Sequence, residues 1–269
     1  MKELEEELKS QIARKIKEAE YTIQNQADEK AKEILIDAMQ RSATDYVAES
    51  TATTIEIDNE ELKGKIIGKE GRNIRTFEKL TGVDIIVDEA PNQVTLSCFD
   101  PIRREVAALS LQKLLKDGRV HPGSIEETVK NIKTEIAKEI KRTGEKMAFE
   151  TGFSDLPPEI VKLLGRFKYR FSYGQNLVKH TLEMVAIGEA LATEVGADIN
   201  LTKKAALLHD IGKVLTHEIE GKPHHHISGD IVRKYLKDEK LANAVESHHG
   251  DIAPQSLEAV LVSIADAIS

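Results

Sequence analysis

Across the first fifty residues apolar side chains recur every three or four positions: Leu4, Leu8, Ile12, Ile16, Ala19 and Ile23, then Ala27, Ala31, Ile34, Leu35, Ala38 and Met39. That period, unbroken by glycine or proline, predicts one long amphipathic helix over residues 1–50. Its apolar face needs a cover, so pairing with a second helix in a coiled coil is expected, a plain helical lead-in being the alternative. Thr22 and Gln26 interrupt the seam and leave its register undefined. Near Thr51 the period drops to two, and Thr53-Thr54-Ile55-Glu56-Ile57 reads as a strand. A helix over 62–67 follows, then the loop Gly68-Lys69-Glu70-Gly71 and a helix over 72–80 stopped by Gly82. Strands over 83–87 and 93–98 are separated by Pro91-Asn92, and Pro101 opens a helix reaching about Lys116. The order is strand, helix, helix, strand, strand, helix.

After His121-Pro122-Gly123 a charged helix is expected from about Ser124 to Arg142, with Ser124 and Glu127 at capping-box spacing. Residues 144–158, with Gly152 and Pro157-Pro158, read as an irregular connection and a domain boundary. From about Glu159 onward the pattern is helical. The chain therefore divides into an amphipathic helix (1–50), a small α+β domain (51–120), a helical linker (121–158) and an all-α domain (159–269): a multidomain protein of α and α+β parts.

At 269 residues the chain can bury two modest cores. Its net charge of −8 argues against coating nucleic acid by bulk attraction, so any such contact needs a local basic patch. The single cysteine, Cys98, cannot form an internal disulfide and suits a reducing compartment, with a small buried strand residue as its plainest role. No apolar run is long enough to span a bilayer, and the Glu/Lys-rich start is unlike a signal peptide. The last apolar stretch, Leu257–Ile268, lacks the glycine or basic residues that close a helix, which predicts a fragment.

A basic patch does exist inside the acidic chain. Lys63, Lys65, Lys69, Arg72, Arg75 and Lys79 surround the Gly-Lys-Glu-Gly loop against only Glu70 and Glu78. Glycines let backbone approach a phosphate closely, and the next helix points its free N–H groups and positive end at it. Glu70 is a poor choice for such a site, and a purely structural turn is the alternative. Set between Ile66-Ile67 and a basic helix, within the βααββα order, the loop resembles a type I KH domain. That resemblance implies a clamp on single-stranded RNA, with Gly68, Lys69, Glu70 and Gly71 on the backbone, Arg72 and Arg75 beside them, and Ile66, Ile67 and Ile74 lining a groove for bases.

The C-terminal third carries His180, His209-Asp210, His224, His248 and Asp266 within apolar helical contexts. Imidazole and carboxylate ligands suit Mg²⁺, Mn²⁺, Fe or Zn²⁺, which activate water against phosphate esters. A core histidine is the ordinary explanation of His180 taken alone. Asp210, at the end of the apolar run 205–208, would leave an uncompensated buried charge without a cation. Lys213, one turn further on, can offset phosphoryl charge or simply end a helix. Any of His224-His225-His226 could ligate; His224 is preferred, with His225 next. Of His248-His249 one is expected to ligate, His248 by preference. Asp266 among Ile264, Ala265 and Ala267 demands a partner. His121 and His217 read as exposed or hydrogen-bonded and are set aside.

The string Ala205-Ala206-Leu207-Leu208-His209-Asp210-Ile211-Gly212-Lys213 resembles the HD phosphohydrolase superfamily. There the third histidine heads a helix in a pattern like His-x-x-Ile-Gly; here Ser228 stands for the glycine and Gly229 comes one place late. The KH pattern followed by the HD pattern is similar to the ribonuclease Y family from about Lys32 onward, through stretches such as Phe99-Asp100-Pro101-Ile102-Arg103-Arg104-Glu105. The resemblance implies a metal-dependent bacterial endoribonuclease that begins mRNA decay, dimerises, and is tethered to the cytoplasmic face of the membrane by a segment this chain lacks. It implies His180, His209, Asp210 and Asp266 on one Mn²⁺, Mg²⁺ or Zn²⁺ ion, and His224 and His248 on a second or on the phosphate. His209, Asp210 and Lys213 serve catalysis, leaving 5′-phosphate and 3′-hydroxyl ends. It also implies that the HD domain is truncated at its C-terminus, which puts this chain's own activity in doubt. An HD hydrolase of nucleotides or cyclic dinucleotides, and a non-catalytic RNA-binding scaffold, are the alternatives.

Overall fold

The computed structural model of the protein describes residues 51–87, 92–172, 174–219 and 221–269. The long helix expected over residues 1–50 lies outside them. The alternating stretches form β1 (Ala52–Glu56), β2 (Asp84–Ile86) and β3 (Gln93–Ser97) in one antiparallel sheet of order β1-β3-β2. Val94 and Leu96 of the central strand are fully buried. In register, Ile55 faces Val94 and Ile85 faces Leu96, so the inward positions of all three strands meet on one face. Helices α1 (Glu61–Ile67), α2 (Arg72–Thr81) and α3 (Pro101–Asp117) complete the βααββα order. Asp100 caps α3 by accepting from the Ile102 N–H, with Pro101 at the first helical position.

Helix α4 (Pro122–Thr151) runs thirty residues and departs from expectation at both ends. It is capped by His121, whose Nδ1 accepts from the Ser124 N–H while Ser124 Oγ accepts from the His121 N–H, so Ser124 closes the box rather than opening it. It does not stop at Arg142. It passes through Gly144, because a side chain there would lie 1.9 Å from the Val161 carbonyl on the next helix. Its buried stripe first completes the α+β core through Ile125, Val129, Ile132, Ile136 and Ile140. It then enters the second core through Met147 and Ala148.

The second core is helical: α5 (Pro158–Gly165), α6 (Leu177–Val195), α7 (Ile199–Leu208), α8 (His224–Leu236), α9 (Glu239–Glu246) and α10 (Leu257–Ile268). Within the stretch expected to be helical from about Glu159 onward, a two-stranded turn intervenes, β4 (Phe171–Ser172) against β5 (Gln175–Asn176). Asn176 accepts from the Val178 N–H and starts α6 at Leu177, since Gly174 sits at φ +81° and cannot belong to a helix.

Candidate functional site

Helix α7 ends at Leu208 inside the core, and the chain then tightens into a 3₁₀ turn over Ile211–Leu215. The junction holds His209 and Asp210, which are 0% and 1% exposed. Gly212 is what lets this junction press on the first turn of α8. A Cβ there would lie 2.0 Å from the His224 carbonyl, and the Gly212 N–H instead donates to Ser228 Oγ at 2.8 Å. Ser228 in turn donates to the His224 carbonyl, so the residue that replaces the resemblance's glycine ties the two segments together.

Asp210 is the hub. Its Oδ2 lies 3.3 Å from His209 Nε2 and 2.7 Å from Lys213 Nζ; its Oδ1 lies 3.3 Å from His224 Nε2 and 4.0 Å from His248 Nε2. Asp266, from α10, puts Oδ1 3.4 Å from His180 Nε2 and 3.5 Å from His209 Nε2. The donor atoms of His180, His209 and Asp266 converge within 4.8 Å, as do those of Asp210, His224 and His248. Elements distant in sequence, α6, the α7 junction, α8, the turn after α9, and α10, thus bring two adjacent donor groups together.

The histidine tautomers are set from behind. His209 Nδ1 donates to the Ala206 carbonyl at 2.8 Å, and His248 Nδ1 donates to the Val245 carbonyl at 2.5 Å. When neutral, each ring then presents its Nε2 lone pair to the carboxylates. His248 Nε2 is buried without a hydrogen-bond partner among the described residues. Lone pairs facing carboxylates repel unless a positive charge lies between them, so these residues fit a divalent cation. The acid–base balance shows the same demand for positive charge, which a proton on His209 meets in place of a metal ion. Burial pushes His209 down, but Asp210 and then Asp266 outweigh it and hold its imidazolium to about 10. Burial, then the charge on His209, pushes His248 down to about 3. Burial raises Asp210 and Asp266, yet the histidines around them drive both carboxyls well below the usual range.

On the other core, Gly68 (φ +70°) and Gly71 (φ +72°) bracket Glu70, which is itself left-handed at φ 57°. Asn73, buried under the loop, donates to the Lys65 and Val120 carbonyls at 2.9 and 2.8 Å, and a Cβ on Gly68 would collide with it. Lys69, Glu70, Arg72, Arg75, Thr76 and Lys79 line a cleft of 410 Å³. Glu70 carries its side chain exposed, while its carbonyl accepts from the Arg75 guanidinium. Ile66 is a correction: at 2% exposed it fills the core and has no surface to offer a base. Ile67 is 38% exposed and Ile74 partly so.

Three family descriptions match the chain: the RNase Y N-terminal region over residues 1–46, the KH domain over 52–113 and the HD domain over 177–269. Ribonuclease Y of Alkaliphilus metalliredigens is 49% identical over 269 residues, all of this chain and 56% of that protein. Ribonuclease Y of Clostridium novyi is 51% identical over 269 residues, all of this chain and 53% of that protein. The chain matches the ribonuclease Y family. It spans about half the length of the curated relatives it matches.

Within this ribonuclease Y-like chain all six expected ligands, with Lys213, come together. Sequence reasoning placed His249 second to His248; its Nε2 lies 2.9 Å from His224 Nε2 and its donor groups with His248 and Asp266. It missed Ser172, whose Oγ accepts from Lys213 Nζ at 2.8 Å. It also missed Asn73 behind the glycine loop. His217, set aside, sits between the cores, 3.6 Å from Asp100 at the cap of α3. Among the described residues no helix is long and apolar enough to cross a membrane.

Proposed function

We propose that the chain is the RNA-binding and catalytic part of a metal-dependent endoribonuclease that hydrolyses phosphodiester bonds in single-stranded RNA and begins mRNA decay. The observation that carries this is a buried, cation-demanding His/Asp set around Asp210 in the same chain as a basic cleft on a glycine loop. A divalent ion bound there supplies the Lewis acidity that makes water nucleophilic near neutral pH and draws charge from phosphoryl oxygens. His180, His209 and Asp266 would hold one ion and Asp210, His224 and His248 a second. The imidazole-rich set suits Zn²⁺ better than Mg²⁺.

The remaining work belongs to the chain's own groups. The Ala206 and Val245 carbonyls keep His209 and His248 presenting Nε2. Lys213, steadied by Ser172, offsets charge on the phosphate. The Gly68–Gly71 backbone, with Lys69, Arg72 and Arg75, grips the RNA backbone, and Ile67 and Ile74 flank the bases. Residues 51–120 act as the RNA-binding domain, 121–158 as the helical linker and 159–269 as the hydrolase domain. The whole protein pairs as a homodimer and is tethered at the cytoplasmic face of the membrane.

The test is cleavage of an unstructured RNA with Mn²⁺ or Mg²⁺ by the wild type and by Asp210→Asn, with metal content measured for both. The wild type leaves 5′-phosphate and 3′-hydroxyl ends. Asp210→Asn binds less metal and cleaves at least about 100-fold more slowly. Replacing Lys69 and Glu70 together by Asp removes RNA binding with metal content unchanged. Hydrolysis of small nucleotides but not RNA, or RNA bound intact by the metal-loaded chain, would overturn the proposal.

A further inference from the structure

The run His224-His225-His226 supplies one donor to the centre around Asp210 and leaves two unused. Both face the same atom through Nε2, although His225 also groups with His224 and His249. Asp251 lies in the turn that follows α9, just past Gly250 at φ +80°. Its Oδ2 is 2.6 Å from His225 Nε2 and 3.3 Å from His226 Nε2. The donors of His225, His226 and Asp251 all fall within 4.8 Å of one another. His225 is buried at 6% exposed, and its Nδ1 has no partner among the described residues. Asp251 and His226 open to solvent, so the cluster has a buried floor and an accessible mouth.

We propose that His225, His226 and Asp251 form a further cation site, distinct from the centre around Asp210, that takes a borderline ion of the Zn²⁺, Co²⁺ or Ni²⁺ kind. Two imidazoles and one carboxylate are the ligand set of three-coordinate protein sites that complete their shell with water. At metal–ligand distances of about 2.0–2.1 Å, a tetrahedral ion separates its ligands by roughly 3.3 Å. The His226–Asp251 spacing already matches, and the His225–Asp251 hydrogen bond needs only to open as the ion displaces its proton. Mg²⁺ and Ca²⁺, which require several oxygens, are excluded by the single carboxylate.

The site joins two segments that both serve the central set. Asp251 belongs to the turn carrying His248 and His249, while His225 and His226 belong to the first turn of α8, which carries His224. An ion here clamps that turn to α8 and fixes the approach of His224 to His248. The inference does not depend on which phosphate ester the central site attacks.

The folded chain, stripped with chelator, is equilibrated with micromolar free Zn²⁺, and bound zinc is measured by elemental analysis. His226→Gln and Asp251→Asn each bind one zinc fewer than the wild type. Asp210→Asn, which perturbs the central set, loses one more when combined with Asp251→Asn. With Co²⁺ in place of Zn²⁺, Asp251→Asn removes one component of the visible absorption. Unchanged zinc content in both His226→Gln and Asp251→Asn overturns the site. So does loss in His226→Gln with none in Asp251→Asn, because a histidine tract that captures metal without its carboxylate is adventitious.

Discussion

Ser228 shows how one hydroxyl can replace a glycine and still preserve a close approach. It accepts from the Gly212 N–H and donates to the His224 carbonyl, bridging the Asp210 junction to α8 in a fully buried place. Ser228→Ala removes both bonds and leaves a buried amide without an acceptor. Chemical denaturation should show a loss of about 1–3 kcal/mol, and metal affinity should fall because His224 is no longer held. Among the residues that converge on Asp210, some stand out in the sequence because a charged or titratable group sits among apolar neighbours, as at His209, Asp210 and Asp266, a costly arrangement without a partner. What was not legible were the groups behind them. The carbonyls that fix the histidine tautomers sit three residues before each ring and are aimed by the local helix-end geometry, while Ser172 and Asn73 act through tertiary approach and leave no trace in spacing. The same holds for Asp251, an ordinary exposed turn residue until α8 is seen beside it.

Helices α4 and α5 cross backbone to backbone at two glycines. A Cβ on Gly144 would lie 1.9 Å from the Val161 carbonyl, and one on Gly165 would lie 1.8 Å from the Ile140 carbonyl. Neither carbonyl can retreat without breaking its helix, so Gly144→Ala should cost about 3 kcal/mol or more, or prevent folding, read as a drop in Tm and soluble yield. Gly64→Ala is the control. It lies in α1 with open space around it and should stabilise by about 0.5–1 kcal/mol. Glycine was therefore a misleading mark here. Read as punctuation, it ended the predicted helix near Arg142; in the fold it permits contact and the helix continues. The βααββα order was legible because strand alternation, Gly82 and Pro101 all mark true ends. The hairpin at Ser172 and Gln175 was not, since two-residue strands carry no period to detect.

At the scale of the molecule, the two cores share α4 and are pinned again by His217 beside Asp100. Denaturation should accordingly be a single transition in which probes in either core report the same midpoint. Separate midpoints for the sheet and the helical bundle would show that α4 fails to couple them. The chain's halves were legible as separate patterns; their common helix was not, because a continuous stripe gives no sign that it changes partner at Gly144. A further consequence concerns the length of that stripe. Each residue turns the helix by about 100°, so inserting one alanine between Ile140 and Met147 would point one half of α4 away from its core while leaving every other residue intact. Adding seven would nearly restore the angle but part the cores by about 10 Å. The tally of residues between Ile140 and Met147 is thus itself a structural constant of this protein, and deletions or insertions there should be far less tolerated than substitutions on the helix's outer side.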